Sequence, residues 1–198
     1  MYRWDDKPYY SLNYYLRQKF GEKVFKISLD GGFTCPNRDG TLSKKGCIFC
    51  SGRGSGDFAP SAVLPITEQF HQSRTLLIDK WKSGKYIAYF QAFTNTYAPI
   101  DVLRKKYEEA ISLPDVVGIA IATRPDCLSQ PVLDLLEEIN KKTYLWVELG
   151  LQTMHEDTAS LIQRGYPLSC FEEAVSNLSK RNIDTVVHLI LGLPGESK

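Results

Sequence analysis

The segment Val116–Gln152 reads VVGIAIATRPDCLSQPVLDLLEEINKKTYLWVELGLQ, and its pattern is that of one strand–helix–strand unit. Val116–Ala122 (VVGIAIA) and Tyr144–Leu151 (YLWVELGL) are nearly continuous apolar runs, as expected of strands buried on both faces. Between them Pro131–Lys141 carries apolar residues at helical spacing. Pro131 suits a first helical turn, where its missing N–H has no partner to lose.

The same alternation recurs on both sides of this unit. Further strands are expected at Val24–Leu29, Tyr86–Gln91 and Thr185–Leu191, with helices at Ile66–Trp81, Ile100–Ser112 and Ser169–Arg181. From the second strand onward the strand starts are spaced by about 30 to 40 residues, the length of one βα unit. The expected fold class is therefore α/β with a parallel sheet. One interval is about twice as long, because the cysteine- and glycine-rich segment Gly31–Pro60 intervenes after the first strand. Extra loop at the carboxyl end of a strand is where α/β folds place their chemistry.

Composition removes several classes. In 198 residues, 43% hydrophobic with 24 Lys plus Arg against 23 Asp plus Glu, there is enough apolar content for a core, which excludes disorder. The net charge of +1 gives no overall nucleic-acid footprint. No run approaches the roughly 18 apolar residues of a membrane span. The opening MYRWDDKPYYSLNYYLRQKF lacks the apolar stretch of a secretory signal, so a cytoplasmic protein is expected.

Residues 1–22 read as a flanking helical segment and 23–198 as the core. The aromatic and basic N-terminal segment has the chemistry to stack on bases, but reads more simply as a helix covering one end of the core. After the fifth strand, LGLPGESK reads as a turn opening another helix, so the core is expected to be truncated there.

Five cysteines, an odd number at low density, argue against a disulfide framework. Cys35, Cys47 and Cys50 form a C-x11-C-x2-C arrangement on the loop after the first strand. Clustered thiolates select zinc or iron–sulfur. Spacing alone leaves both open: a structural zinc site would take a fourth ligand such as His71 or Cys127, whereas a four-iron cluster held by three thiolates keeps one iron open. Gly52, Gly54 and Gly56 would allow a ligand close to the backbone. Glu148 shares a strand face with Gly150 and Gln152, which favours an interior, functional position. Cys127 and Cys170 read as small buried or half-buried apolar residues.

Taken in order, four motifs resemble the radical SAM enzymes. They are the three-cysteine loop with Phe49 before its last cysteine, ATRPDCL after the third strand, VELGLQT on the fourth and VVHLILGLPGE on the fifth. The wide cysteine spacing is similar to that of the group containing the Elongator catalytic subunit. The long loop together with FQAFTNTY is most similar to the YhcC/YtqA-like bacterial proteins.

The resemblance implies a partial (β/α)6-type TIM-like barrel with five of six strands present. It implies a [4Fe-4S] cluster ligated by Cys35, Cys47 and Cys50, whose open iron binds S-adenosylmethionine. Reductive cleavage of that cofactor would give a 5′-deoxyadenosyl radical, and the electron would come from a donor such as flavodoxin or ferredoxin. Gln152 would meet the ribose and Arg164, twelve residues on, the methionine carboxylate. His188 stands where a related branch has a ribose-binding aspartate. Ala122 replaces a glutamate of that branch, leaving Thr123 and Arg124 as substitutes. Gln91, Thr94 and Thr96 are candidates for the cofactor amino group. Kinship with the Elongator subunit implies tRNA as substrate, with chemistry at C5 of the wobble uridine. A zinc-stabilised binding module, or radical chemistry on a metabolite or protein, are the alternatives.

Overall fold

The computed structural model describes residues 3–78 and 84–197. Five parallel strands, β1 (Val24–Leu29), β2 (Lys85–Phe90), β3 (Val116–Thr123), β4 (Tyr144–Gln152) and β5 (Asp184–Leu189), lie side by side in chain order. A sequential parallel order has no point at which the winding reverses. This is the order of a barrel and not of a doubly wound sheet. The sheet is open among the described residues, with β1 and β5 as its edges.

Strand alternation sorts the side chains into two layers. Ile27, Leu29, Ala88, Phe90, Ile119, Ile121, Leu145, Val147 and Leu149 form the main core with residues of the covering helices. Those helices are α2 (Ile66–Ile78), α3 (Ile100–Ile111), α4 (Gln130–Lys142) and α6 (Leu168–Ser179). Phe70, Leu103, Tyr107, Leu136 and Leu178 are their fully buried anchors. The alternate residues Val24, Ile87, Tyr89, Ala120 and Trp146 face inward and form a second, smaller core.

α1 (Leu12–Phe20) closes the amino-terminal end of that inner core. The Ser11 hydroxyl caps it by accepting from the Tyr14 N–H, and Gly21 ends it at φ +75°, donating its N–H to the Arg17 carbonyl. Leu16 is buried against the inward-facing strand residues. Lys19 lies 4.1 Å from the centroid of the Tyr144 ring.

The strand expectations differ from the structure by no more than two residues at either end. Of the expected helix Ile66–Trp81, the part beyond Ile78 lies outside the described residues. Among the described residues one α-helix was not anticipated: α5 (Glu156–Leu161), six residues that follow β4. It is too short to establish a periodic pattern. Among the described residues no helix is long and apolar enough to cross a membrane.

Candidate functional site

The carboxyl ends of the strands open on one cavity. It is lined by Cys35, Cys47 and Cys50 from the loop after β1, and by Gln91, Phe93 and Thr94 after β2. Thr123 and Arg124 come from the end of β3, and Glu148, Gly150 and Gln152 from β4. Arg164, Tyr166 and His188 complete the wall. Of the residues expected to bind the cluster or its cofactor, all but Thr96 thus meet at one place, although more than 150 residues of chain separate Cys35 from His188.

The cysteine loop is held by its own polar residues. Gln69, fully buried on α2, accepts from the Asp30 N–H at 2.8 Å and donates to the carbonyls of Asp30 and Leu64, clamping the loop where it leaves and returns. Arg38 donates to the carbonyls of Cys50 and Ser51 at 2.9 and 2.7 Å. Gly54 sits at φ +61°, and a Cβ there would lie 2.4 Å from the Phe93 ring. A Cβ on Gly56 would fall 2.6 Å from Ala92. At Gly54 and Gly56 the segment after β2 makes a close approach, and a Cβ on Gly52 would meet nothing.

All five cysteines are free thiols. Burial pushes the Cys47 thiol up, against the Asn37 amide and the charge of Arg124. No three Cys, His, Asp or Glu side chains among the described residues gather closely enough for a single metal ion. A cubane takes one thiolate at each iron corner, so three thiols spread around one cavity wall match its donor set.

Deeper in the cavity, Glu148 organises a network that the sequence did not reveal. Its Oε1 accepts from Lys26 Nζ at 2.5 Å and from the Trp146 indole at 2.8 Å, while Oε2 lies 2.8 Å from His188 Nε2. Lys26 also stands 3.4 Å from the Tyr89 ring centroid. Burial alone would raise the Glu148 pKa. The bonds from His188, Lys26 and Trp146 outweigh it and leave the pKa at about 2. The alternation of β1 does place Lys26 and Ser28 on the inner face, which was the available signal.

The two arginines are held differently from a free anion-binding fork. Arg164 is 1% exposed; it donates to the carbonyls of Leu151, Thr153 and Tyr166 and to Glu156. Four of its five N–H groups are thereby used. Arg124 grips Asp126 through two bonds of 2.9 and 2.7 Å and donates to the Arg164 carbonyl. Both guanidiniums lie against the Tyr166 ring, at 4.8 and 4.9 Å from its centroid.

Among the smaller polar residues, Gln91 accepts from the Ser28 hydroxyl at 3.2 Å. Thr123 pairs with Thr96 at 2.5 Å, and Thr96 donates to the Cys127 carbonyl. Thr96 and Cys127 face a neighbouring cavity beside Pro36 and Leu42, outside the group around the thiols. Burial, then Asp126, pushes the Cys127 thiol up to about 12, which keeps it a protonated, unreactive group. Gln152 takes φ +66° at an irregularity in the β4–β5 register, a conformation rare for a residue with a side chain.

An open parallel βα barrel thus carries three thiols on the loop after β1, and they face a polar cavity at the strand ends. The radical SAM superfamily profile matches residues 35–198, and the chain belongs to that superfamily. Its members use a [4Fe-4S] cluster and S-adenosylmethionine, and Cys35, Cys47 and Cys50 are the residues here that would hold the cluster.

The chain is 58% identical over 193 residues to the uncharacterized protein YtqA of Bacillus subtilis (strain 168), covering 98% of this chain and 60% of YtqA. It therefore spans about 60% of the length of that relative. A shorter match, 32% identical over 81 residues, is to the tRNA uridine(34) acetyltransferase of Dehalococcoides mccartyi (strain CBDB1), covering 41% of this chain and 17% of that protein. In fold it is similar to the archaeal Methanocaldococcus infernus Elp3 with an N-terminal deletion, at TM-score 0.60 and 17% identity, covering 88% of this chain and 39% of that one.

Proposed function

We propose that this chain is the cluster- and cofactor-binding part of a radical SAM enzyme that modifies tRNA, with C5 of the wobble uridine as the favoured target. The observation that carries the enzyme reading is the convergence of three free thiols and a buried polar network on one cavity at the strand ends. Superfamily membership favours the cluster over the zinc-stabilised module that cysteine spacing alone had left open.

When bound, the cluster and S-adenosylmethionine supply one-electron reductive cleavage and hydrogen abstraction. The chain's own residues bind, orient and shield. Tyr89 lines the cavity and packs with Trp146 and with Leu16 of α1 in one apolar group. The ionised Glu148 holds Lys26 and His188 in fixed positions on its floor. Phe49 and Phe93 flank the thiols in the cavity wall and limit water there. The electron comes from a low-potential carrier of the flavodoxin or ferredoxin kind.

Support for RNA as the substrate is the sequence match to a tRNA uridine(34) acetyltransferase. The test is anaerobic reconstitution of the full-length protein, followed by incubation with S-adenosylmethionine, dithionite and bulk tRNA. 5′-Deoxyadenosine is expected to accumulate faster with tRNA than without it, and Cys47→Ala protein should form none. Formation that is indifferent to tRNA, together with an unchanged nucleoside profile in a deletion strain, would redirect the substrate assignment to a metabolite or protein.

A further inference from the structure

One buried polar side chain on the cysteine loop has no task in the proposed reaction. Asn37, two residues after Cys35, is 3% exposed. One bond from its Nδ2 reaches Cys47 Sγ at 3.3 Å, and a second reaches the Gln163 carbonyl at 2.7 Å. A primary amide has two N–H groups, so both are used. The Asn37 carbonyl also accepts from the Gly46 N–H at 2.8 Å, next to Cys47 in the chain. Gln163 holds φ +56°, the left-handed region that a residue with a side chain seldom adopts. The amide is thus fixed by a second, backbone acceptor while it points at the sulfur.

The other groups near the thiols are placed differently. Asp126 engages the guanidinium of Arg124 through two short bonds, which compensates its charge locally. Cys50 Sγ has only the Ser55 hydroxyl, at 3.9 Å on the exposed side of the loop. Among the described residues no hydrogen bond to Cys35 Sγ is seen. Among the described residues, Cys47 is the one of the three with a buried N–H donor directed at its sulfur.

We propose that Asn37 is a positioning residue for the cluster: its amide N–H holds the Cys47 sulfur and raises the reduction potential of the site. This rests on the reading that Cys47 is an iron ligand. One-electron reduction adds negative charge that is shared between iron and sulfur. A donor hydrogen-bonded to that sulfur therefore stabilises the reduced form more than the oxidised one. Being neutral and fixed at both N–H groups, Asn37 does this without adding a charge to the cavity.

The experiment uses the anaerobically reconstituted full-length protein. Iron and acid-labile sulfide are measured first; their absence from the wild type would sink the cluster reading itself, separately from the role of Asn37. A potentiometric titration with dithionite, followed by EPR, then compares wild type with Asn37→Leu, which keeps the branched shape and removes both donors. The variant's cluster should be harder to reduce by about tenfold in equilibrium, about 59 mV for a one-electron couple. Gln163→Gly, which leaves the amide and its backbone acceptor in place, should titrate like wild type. Equal potentials for Asn37→Leu and wild type overturn the proposal.

A second measurement needs no variant. Wild-type protein labelled with 15N-asparagine should show a weak 15N coupling to the reduced cluster in pulsed EPR. Its absence overturns the proposal even if Asn37→Leu fails to retain iron.

Discussion

Glu148 is ionised where water cannot solvate it: its side chain is 3% exposed, and three donors take the place of the water. Its pKa of about 2 lies below the ordinary 4.5, so the folded state favours the carboxylate. The stability from this difference is fully present above about pH 4.5 and is lost as pH falls through about 2. A difference of that size corresponds to an upper figure of about 3 kcal/mol. Glu148→Gln should therefore lower stability by about 2–3 kcal/mol at pH 7, because it removes the charge and one of the two acceptor oxygens that Lys26 and His188 share. Urea unfolding of both proteins at pH 7, 5 and 3 should show the gap narrowing at the lowest pH. A gap that is constant with pH would mean that packing and not charge makes the difference. Arg164 teaches the same lesson from the other side. With four of its five N–H groups bound to protein, much of its work is to tie the end of β4 to the loop before α6.

At the scale of elements, α1 and the cysteine loop occupy opposite ends of the strands, and this separation can be tested. Leu16 is 3% exposed among Val24, Ile87, Tyr89, Ala120 and Trp146. Leu16→Ala should cost about 2–4 kcal/mol through lost burial and a residual cavity. Iron retention after reconstitution should be unchanged, because the thiols lie at the far ends of the strands; concurrent loss of iron would show that the two ends are coupled. The strands themselves were legible because both faces are buried, which writes each as an apolar run. α5 was not, being six residues long. That Cys35, Cys47 and Cys50 form one group was legible from spacing, and the placing of Glu148, Gln152 and His188 in the same cavity from strand position within motifs. Asn37, Trp146 and the Lys26–Glu148 pair were not, since their meaning depends on contacts across 122 residues of chain in one case and 126 in another. The packing of Phe93 and Ala92 against Gly54 and Gly56 was not legible, because nothing local reveals it.

Among the described residues, β2, β3 and β4 have strand neighbours on both sides and are almost wholly buried, whereas β5 is an edge with Val187 at 43% and Leu189 at 59% exposure. Leu191, just beyond it, is 92% exposed. A terminal parallel strand of this kind presents unpaired N–H and C=O groups beside apolar side chains, which is a template for another strand. Charged residues on an edge oppose such pairing, and β5 carries only Asp184 and His188, both already engaged, with Tyr144 and with Glu148. The 198-residue chain on its own should therefore self-associate as its concentration is raised. Leu189→Lys places a charge at the most exposed apolar position of the strand and should weaken that association, at a stability cost within about 0.5 kcal/mol because little burial is lost there. Sedimentation velocity across a concentration series reads the first effect and urea unfolding the second. If wild type and variant sediment alike as monomers at every concentration, the edge is not a pairing surface, and the exposure of Leu189 has another cause.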